Sequence, residues 1–144
     1  MEGKDYFSLG DKYFDAGFLR KSFLMVKAGA YRGDVYCQQI LGYYYDEGVG
    51  TYVNKEKAIY WYRKSARLGD FCSALNLGIL YRDQGQFFLA KKWFTRARDL
   101  GLEDAEDELD KLKYMRQLSY ERRREYNSRS VFAAPFQRRR SIWW

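Results

Sequence analysis

The sequence predicts an all-α protein, an α/α superhelical solenoid of about three helix-hairpin repeats followed by a long C-terminal capping helix and a basic, aromatic tail. Three observations predict it. A Leu-Gly-x-x-Tyr phrase stands at Leu9 to Tyr13, Leu41 to Tyr45 and Leu77 to Tyr81, with spacings of 32 and 36 residues, the period of stacked helical hairpins. A second phrase, Ala58-x-x-Trp61-Tyr62-x-Lys64-Ser65-Ala66-x-x-Gly69, returns 32 residues later from Ala90 to Gly101. A single proline and a hydrophobic content of 47% suit a folded, mostly helical chain.

The elements follow in order. Phe7, Leu9, Gly10, Tyr13 and Phe14 fall at helical spacing in a first helix from Tyr6 to Ala16 that Gly17 ends. Its partner runs from about Phe18 to Ala30 and is a degenerate copy of the second phrase, as terminal repeats often are. The second repeat covers roughly Asp34 to Gly69, with Asp34 and Asn54 as N-caps and a loop from Asp46 to Asn54 that accounts for the longer period. The third, Asp70 to Gly101, has the short turn Asp83-Gln84-Gly85 instead. Gly42, Gly78, Ala58 and Ala90 stand where the helices of a hairpin must approach closely, and Trp61 and Trp93 fill the wider parts. Beyond Gly101, an acidic first turn precedes Leu109, Leu112, Met115 and Leu118 at intervals of three, a capping helix whose apolar stripe faces the third repeat. The helix signal fades from Asn127.

Charge divides the chain at the start of its tail. Residues 1–112 hold 17 Lys and Arg against 17 Asp and Glu, and residues 113–144 hold 9 against 2. The expected organisation is therefore a neutral repeat array over 1–112 with the start of the capping helix, and a basic helix end and tail over 113–144. The N-terminus lacks a basic segment leading into an apolar run, so a cytoplasmic protein without a membrane segment is expected. Cys37 and Cys72, neither in a C-x-x-C pair, read as small apolar residues of a reduced protein.

The inventory argues against catalysis. With no histidine, no Ser-His or Cys-His nucleophile pair can be built and the commonest metal ligand is missing. Neither an enzyme nor a cofactor is expected, and the acidic run Glu103 to Glu108 lacks the spacing of a calcium loop. Aromatic residues, 19% of the chain, exceed what shared packing requires and point to contact surface. Consecutive residues step about 100° around a helix, so Tyr45 takes the core position and Tyr43 points to the groove. In the tail, Arg122, Arg123, Arg124, Arg138, Arg139 and Arg140 interleave with aromatic residues including Trp143 and Trp144. That mixture serves both protein hot spots and single-stranded nucleic acid.

The stretch Leu41-Gly42-x-x-Tyr45-x-x-Gly48-Val49-Gly50 with Lys57-Ala58-x-x-Trp61-Tyr62-x-Lys64-Ser65-Ala66-x-x-Gly69 resembles one full Sel1-like repeat, a relative of the tetratricopeptide repeat. The third copy is similar but lacks the Gly-x-Gly loop, and the first matches in outline. The resemblance implies a non-catalytic scaffold whose first helices line a concave, partner-binding face. Its groove positions on this chain are Phe7, Asp11 and Phe14, then Tyr36, Gln39, Tyr43 and Asp46, then Leu75, Ile79 and Arg82. It further implies an adaptor, or a bacterial immunity-type protein that occludes a cytoplasmic-acting toxin through an acidic patch facing the arginines. The alternatives are a nucleic-acid-associated protein gripping phosphates with its tail, and a self-assembling scaffold in which each tail fills the next groove.

Overall fold

The computed structural model describes the backbone of residues 5–133 and side chains through residue 128. Seven helices, and no strand, occur among the described residues: α1 (Tyr6–Asp15), α2 (Leu19–Tyr31), α3 (Val35–Glu47), α4 (Lys55–Arg67), α5 (Phe71–Asp83), α6 (Phe87–Asp99) and α7 (Asp104–Ala133). None is long and apolar enough to cross a membrane. The chain forms two compact units, one through Leu109 and one from Asp110 onward.

The first unit is the solenoid. α1 pairs with α2, α3 with α4 and α5 with α6, and each hairpin stacks on the next through α2 with α3 and α4 with α5. The first helices also touch along the array, α1 with α3 and α3 with α5. They form the inner row, and α2, α4 and α6 form the outer one.

Helix starts are set by side chains that satisfy otherwise unpaired backbone donors. Asp34 accepts from the Cys37 N–H at 2.9 Å, Asn54 from the Lys57 N–H at 3.0 Å and Asp70 from the Ser73 N–H at 2.8 Å. Inside hairpins two and three the contact is ring on glycine. A Cβ at Gly42 would stand 2.6 Å from the Tyr62 ring, and one at Gly78 would stand 2.5 Å from the Phe94 ring. Ala58, Ala66, Ala90 and Ala97 are fully buried, and Trp61 and Trp93 nearly so. The expected division between small and large residues thus holds.

The loop after α3 shows why it is glycine-rich. Gly48 ends the helix in the left-handed conformation, φ 75°, and its N–H and that of Val49 both donate to the Tyr44 carbonyl at 2.9 Å. Gly50, φ 66°, lies so close to α2 that a Cβ would stand 2.2 Å from the Leu19 carbonyl oxygen. Arg20 closes the contact by donating to the Gly50 carbonyl at 3.3 Å. The loop is a strap onto the preceding hairpin.

Two expectations for α7 are corrected. Its helix continues to Ala133, past Asn127, since no glycine or proline interrupts the sequence before Pro135. Its stripe is covered over only part of its length: Leu109 and Leu112 are buried, Leu118 is half-buried and Met115 is exposed.

Candidate functional site

On the inner row, Phe7, Asp11 and Phe14 fall three and four residues apart and so share one face of α1. That face meets Ile40, Tyr43 and Tyr44 of α3, with Val26 of α2 at the base, and together they line a cleft of about 170 Å³. Four side chains predicted as contacts, Phe7, Asp11, Phe14 and Tyr43, are thereby brought together. The lining is mostly apolar, with the Asp11 carboxylate as its one charged group.

Tyr44 fixes the cleft's geometry. The Ser22 hydroxyl donates to the Gly10 carbonyl at 2.7 Å, which uses its only proton, so the Tyr44 hydroxyl 2.8 Å away donates to Ser22 Oγ. The chain of bonds ties α3 to both helices of the first hairpin in a buried setting. Burial pushes the Tyr44 hydroxyl's pKa up, with the Ser22 bond acting in the opposite sense, so the phenol stays neutral. Phe14 stacks on Tyr44 at 6.2 Å between centroids, and Tyr43 tilts against it at 6.3 Å. At the cleft's far end Phe7 meets Tyr36 at 6.1 Å. Rings held by other rings and by hydrogen bonds lose little freedom on binding, a property of hot-spot residues. Phe14 and Tyr43 still expose 41% and 44% of their surface, leaving faces for a partner to cover.

The remaining predicted residues are distributed more widely. Gln39, Leu75 and Ile79 are half-buried on α3 and α5. Asp46 is taken up internally: it pairs with Lys55 across the loop, and the Lys55 ammonium also donates to the Asp46 carbonyl at 3.0 Å. Arg82 is likewise engaged, with Glu108 at 2.5 Å and Asp83 at 3.1 Å. Both serve packing in this conformation. Arg122, Arg123 and Arg124 are exposed on α7 in the second unit, where the Arg124 guanidinium lies 6.0 Å from the Tyr120 ring centre. Arg138, Arg139, Arg140, Trp143 and Trp144 lie outside the described residues.

Sequence reasoning missed Tyr44, Ile40 and Val26. The available signal was the position of α3, an interior helix covered by α1, α2, α4 and α5, which buries residues well away from its main core face. Cys37 is buried, and desolvation pushes its thiol up to about 12. Cys72 is half-buried and also raised, by burial first and then by the Asp70 charge. Neither is in a disulfide. Among the described residues no three His, Cys, Asp or Glu side chains converge to hold a metal.

Stacked antiparallel hairpins with a concave row of anchored aromatic side chains define a helical-repeat scaffold of the tetratricopeptide-like class. Residues 35–70 and 73–102 match the Sel1 repeat family model, and hairpins two and three are Sel1-like repeats. The first hairpin lies outside both matches, in keeping with its degenerate sequence.

The chain is 33% identical over 84 residues, 58% of its length, to a Sel1-like repeat-containing protein of Acanthamoeba polyphaga mimivirus, and spans 16% of that relative. It resembles the crystal structure of a Sel1 repeat protein from Oxalobacter formigenes with a TM-score of 0.63 at 26% identity, covering 74% of this chain and 44% of that one. It also resembles a protective antigen of uropathogenic Escherichia coli with a Sel1-like fold, with a TM-score of 0.64 at 31% identity, covering 72% of this chain and 24% of that one. The chain therefore spans less than half the length of each. Sel1 repeats mark a protein-interaction module of adaptor type, generally without catalysis.

Proposed function

We propose that this protein binds another protein through the cleft between α1 and α3, as an adaptor or, more specifically, as an immunity-type protein that occludes a toxin. The observation that carries the reading is the group of half-exposed rings, Phe14 and Tyr43 held on the buried Tyr44 and Phe7 held against Tyr36. A partner presenting an apolar anchor would gain burial there at small entropic cost, with Asp11 at the rim to set its orientation. Exposed arginines on α7 would add an attractive field toward an acidic partner and speed association. Occlusion or tethering, with no chemistry, would be the mechanism.

The test is capture from nuclease-treated lysate, washed at high salt, by the parent chain and by a variant with Phe14→Ala and Tyr43→Ala. A discrete protein held by the parent and lost from the variant supports the reading. Equal retention by both chains removes the cleft from the account. Loss on the high-salt wash alone would place binding in the charged surfaces instead.

A further inference from the structure

The even charge count of residues 1–112 hides a sharp lateral segregation. In the inner row, α1, α3 and α5 together carry two Lys or Arg and five Asp or Glu. In the outer row, α2 has three cations and no carboxylate, α4 five against one, and α6 four against one. Because each hairpin sends one helix to each row, the folded array has a basic outer face that counting along the chain averages away.

That face has structure beyond its charge. Tyr60, Arg63, Lys64 and Arg67 fall on one stripe of α4, and with Leu68 they line a cleft of about 430 Å³. Lys92, Thr95, Arg96 and Asp99 occupy the same stripe of α6, one repeat of 32 residues later. With Trp93 and Arg67 they line an adjoining cleft of about 390 Å³. Arg67 belongs to both clefts.

Cations and rings alternate across the two. Tyr31 and Tyr60 each stand edge-on to Trp61 at 5.1 Å, the Lys64 ammonium lies 5.3 Å from the Trp61 ring, and Lys92 lies 5.7 Å from the Trp93 ring. Arg63 is held by the Tyr81 hydroxyl, and Asp99 is paired with Arg98 at 3.2 Å. Lys64, Arg67, Lys92 and Arg96 have no carboxylate partner among the described residues.

We infer that the outer face of α4 and α6 binds single-stranded nucleic acid, with Lys64, Arg67, Lys92 and Arg96 on the phosphates and the exposed rings of Tyr31 and Tyr60, backed by the buried Trp61, against the bases. Single-stranded nucleic acid alternates charge with flat rings, as this surface does, and grooves of this composition track it with little sequence preference. An acidic peptide would use the cations and leave the rings idle. A lipid surface would use the cations but offers no flat bases for Tyr31 and Tyr60 to stack on. This inference is independent of the protein-binding cleft on the inner row.

The test is fluorescence anisotropy of a labelled oligouridylate with the full chain over a salt series. Replacing Lys64, Arg67 and Arg96 by Gln together is expected to weaken binding by about tenfold or more and to flatten the log-log salt slope by about 2, since each single-strand phosphate contact contributes about 0.7. Tyr60→Ala is expected to weaken binding by at least about fivefold with the slope unchanged.

All four positions lie at the surface or half-buried, so thermal melts of the variants are expected to superimpose on the parent's. Should the triple variant unfold, Arg67→Gln alone decides, with an expected slope change of about 0.7. Oligouridylate binding that survives the triple variant but falls on replacing Arg138, Arg139 and Arg140 by Ala would overturn the inference in favour of the tail. Binding of polyglutamate as tightly as the oligonucleotide, with no effect of Tyr60→Ala, would overturn it in favour of an acidic protein. Retention on phosphatidylserine vesicles without oligonucleotide binding would do so in favour of a membrane.

Discussion

Hairpins two and three have the same interior and different joints. Tyr62 covers Gly42 as Phe94 covers Gly78, at nearly equal distances, and Trp61 and Trp93 are buried alike. Yet α3 is joined to α4 by a glycine strap seated on Leu19, while α5 passes to α6 through a tight turn in which Gly85 meets nothing within 4 Å. The interior is what repeats because every hairpin must pack on the next in the same way. The joint is free to differ, and in hairpin two it locks the array to the degenerate first hairpin that supplies half of the aromatic cleft.

That contrast can be broken at the joints. Gly50→Ala is expected to cost about 3 kcal/mol, because it combines a disfavoured left-handed backbone with a clash against a carbonyl that cannot move aside. Gly85→Ala, φ 74°, has only the backbone conformation to pay for and is expected to cost about 1 kcal/mol. Urea melts of the two variants measure the difference. If the two costs are equal, the strap is not seated as described.

The shared interior predicts the opposite outcome. Gly42→Ala and Gly78→Ala each drive a methyl into a ring that is part of the core, and each is expected to cost about 2 kcal/mol in the same melts. A cap sharpens the comparison at smaller scale. Asp70 at the head of hairpin three accepts from Ser73 N–H and, at 3.2 Å, from the Ser65 hydroxyl. Asp70→Ala should cost about 1 kcal/mol, with Asn54→Ala at the head of α4 similar or smaller.

The cysteines give the smallest effect and a pH test. Cys37 is fully buried and its thiol is pushed up to about 12, from a reference value of 9.0. Since the folded value is the raised one, this stabilisation is whole below pH 9 and is lost as pH climbs from there toward 12. At about pH 8.5, iodoacetamide is expected to label the half-buried Cys72 ahead of Cys37, which reacts only on unfolding. Mass spectrometry of peptides after brief exposure reads the order.

The solenoid was legible in the sequence because packing between repeats is periodic. Gly42, Trp61, Tyr62 and the Asp34 and Asn54 caps all sit where the repeated phrases place them. Tyr43 as the groove residue and Tyr45 as the core residue followed from helical geometry, and exposure separates them in that sense. Tyr44 was not legible, since its burial depends on Ser22 and Gly10 in another hairpin. Asp46 and Arg82 read as groove residues, but their charges are taken by Lys55 and Glu108, pairings that only the folded chain reveals. The basic outer face escaped for a related reason: opposite charges close in sequence are placed on opposite rows in space.

Exposure alone would choose other residues as the protein-binding surface, for Tyr52 and Phe88 expose 94% and 82% against 44% for Tyr43. The most direct test places a photo-crosslinking phenylalanine analogue at Tyr43, at Tyr52 and at Phe88 in separate full-length chains, irradiated in native lysate. A discrete crosslinked protein from position 43, with none from 52 or 88, is the result predicted by an anchored aromatic cleft. Crosslinks from 52 or 88 with none from 43 would contradict it and move the interface away from the inner row.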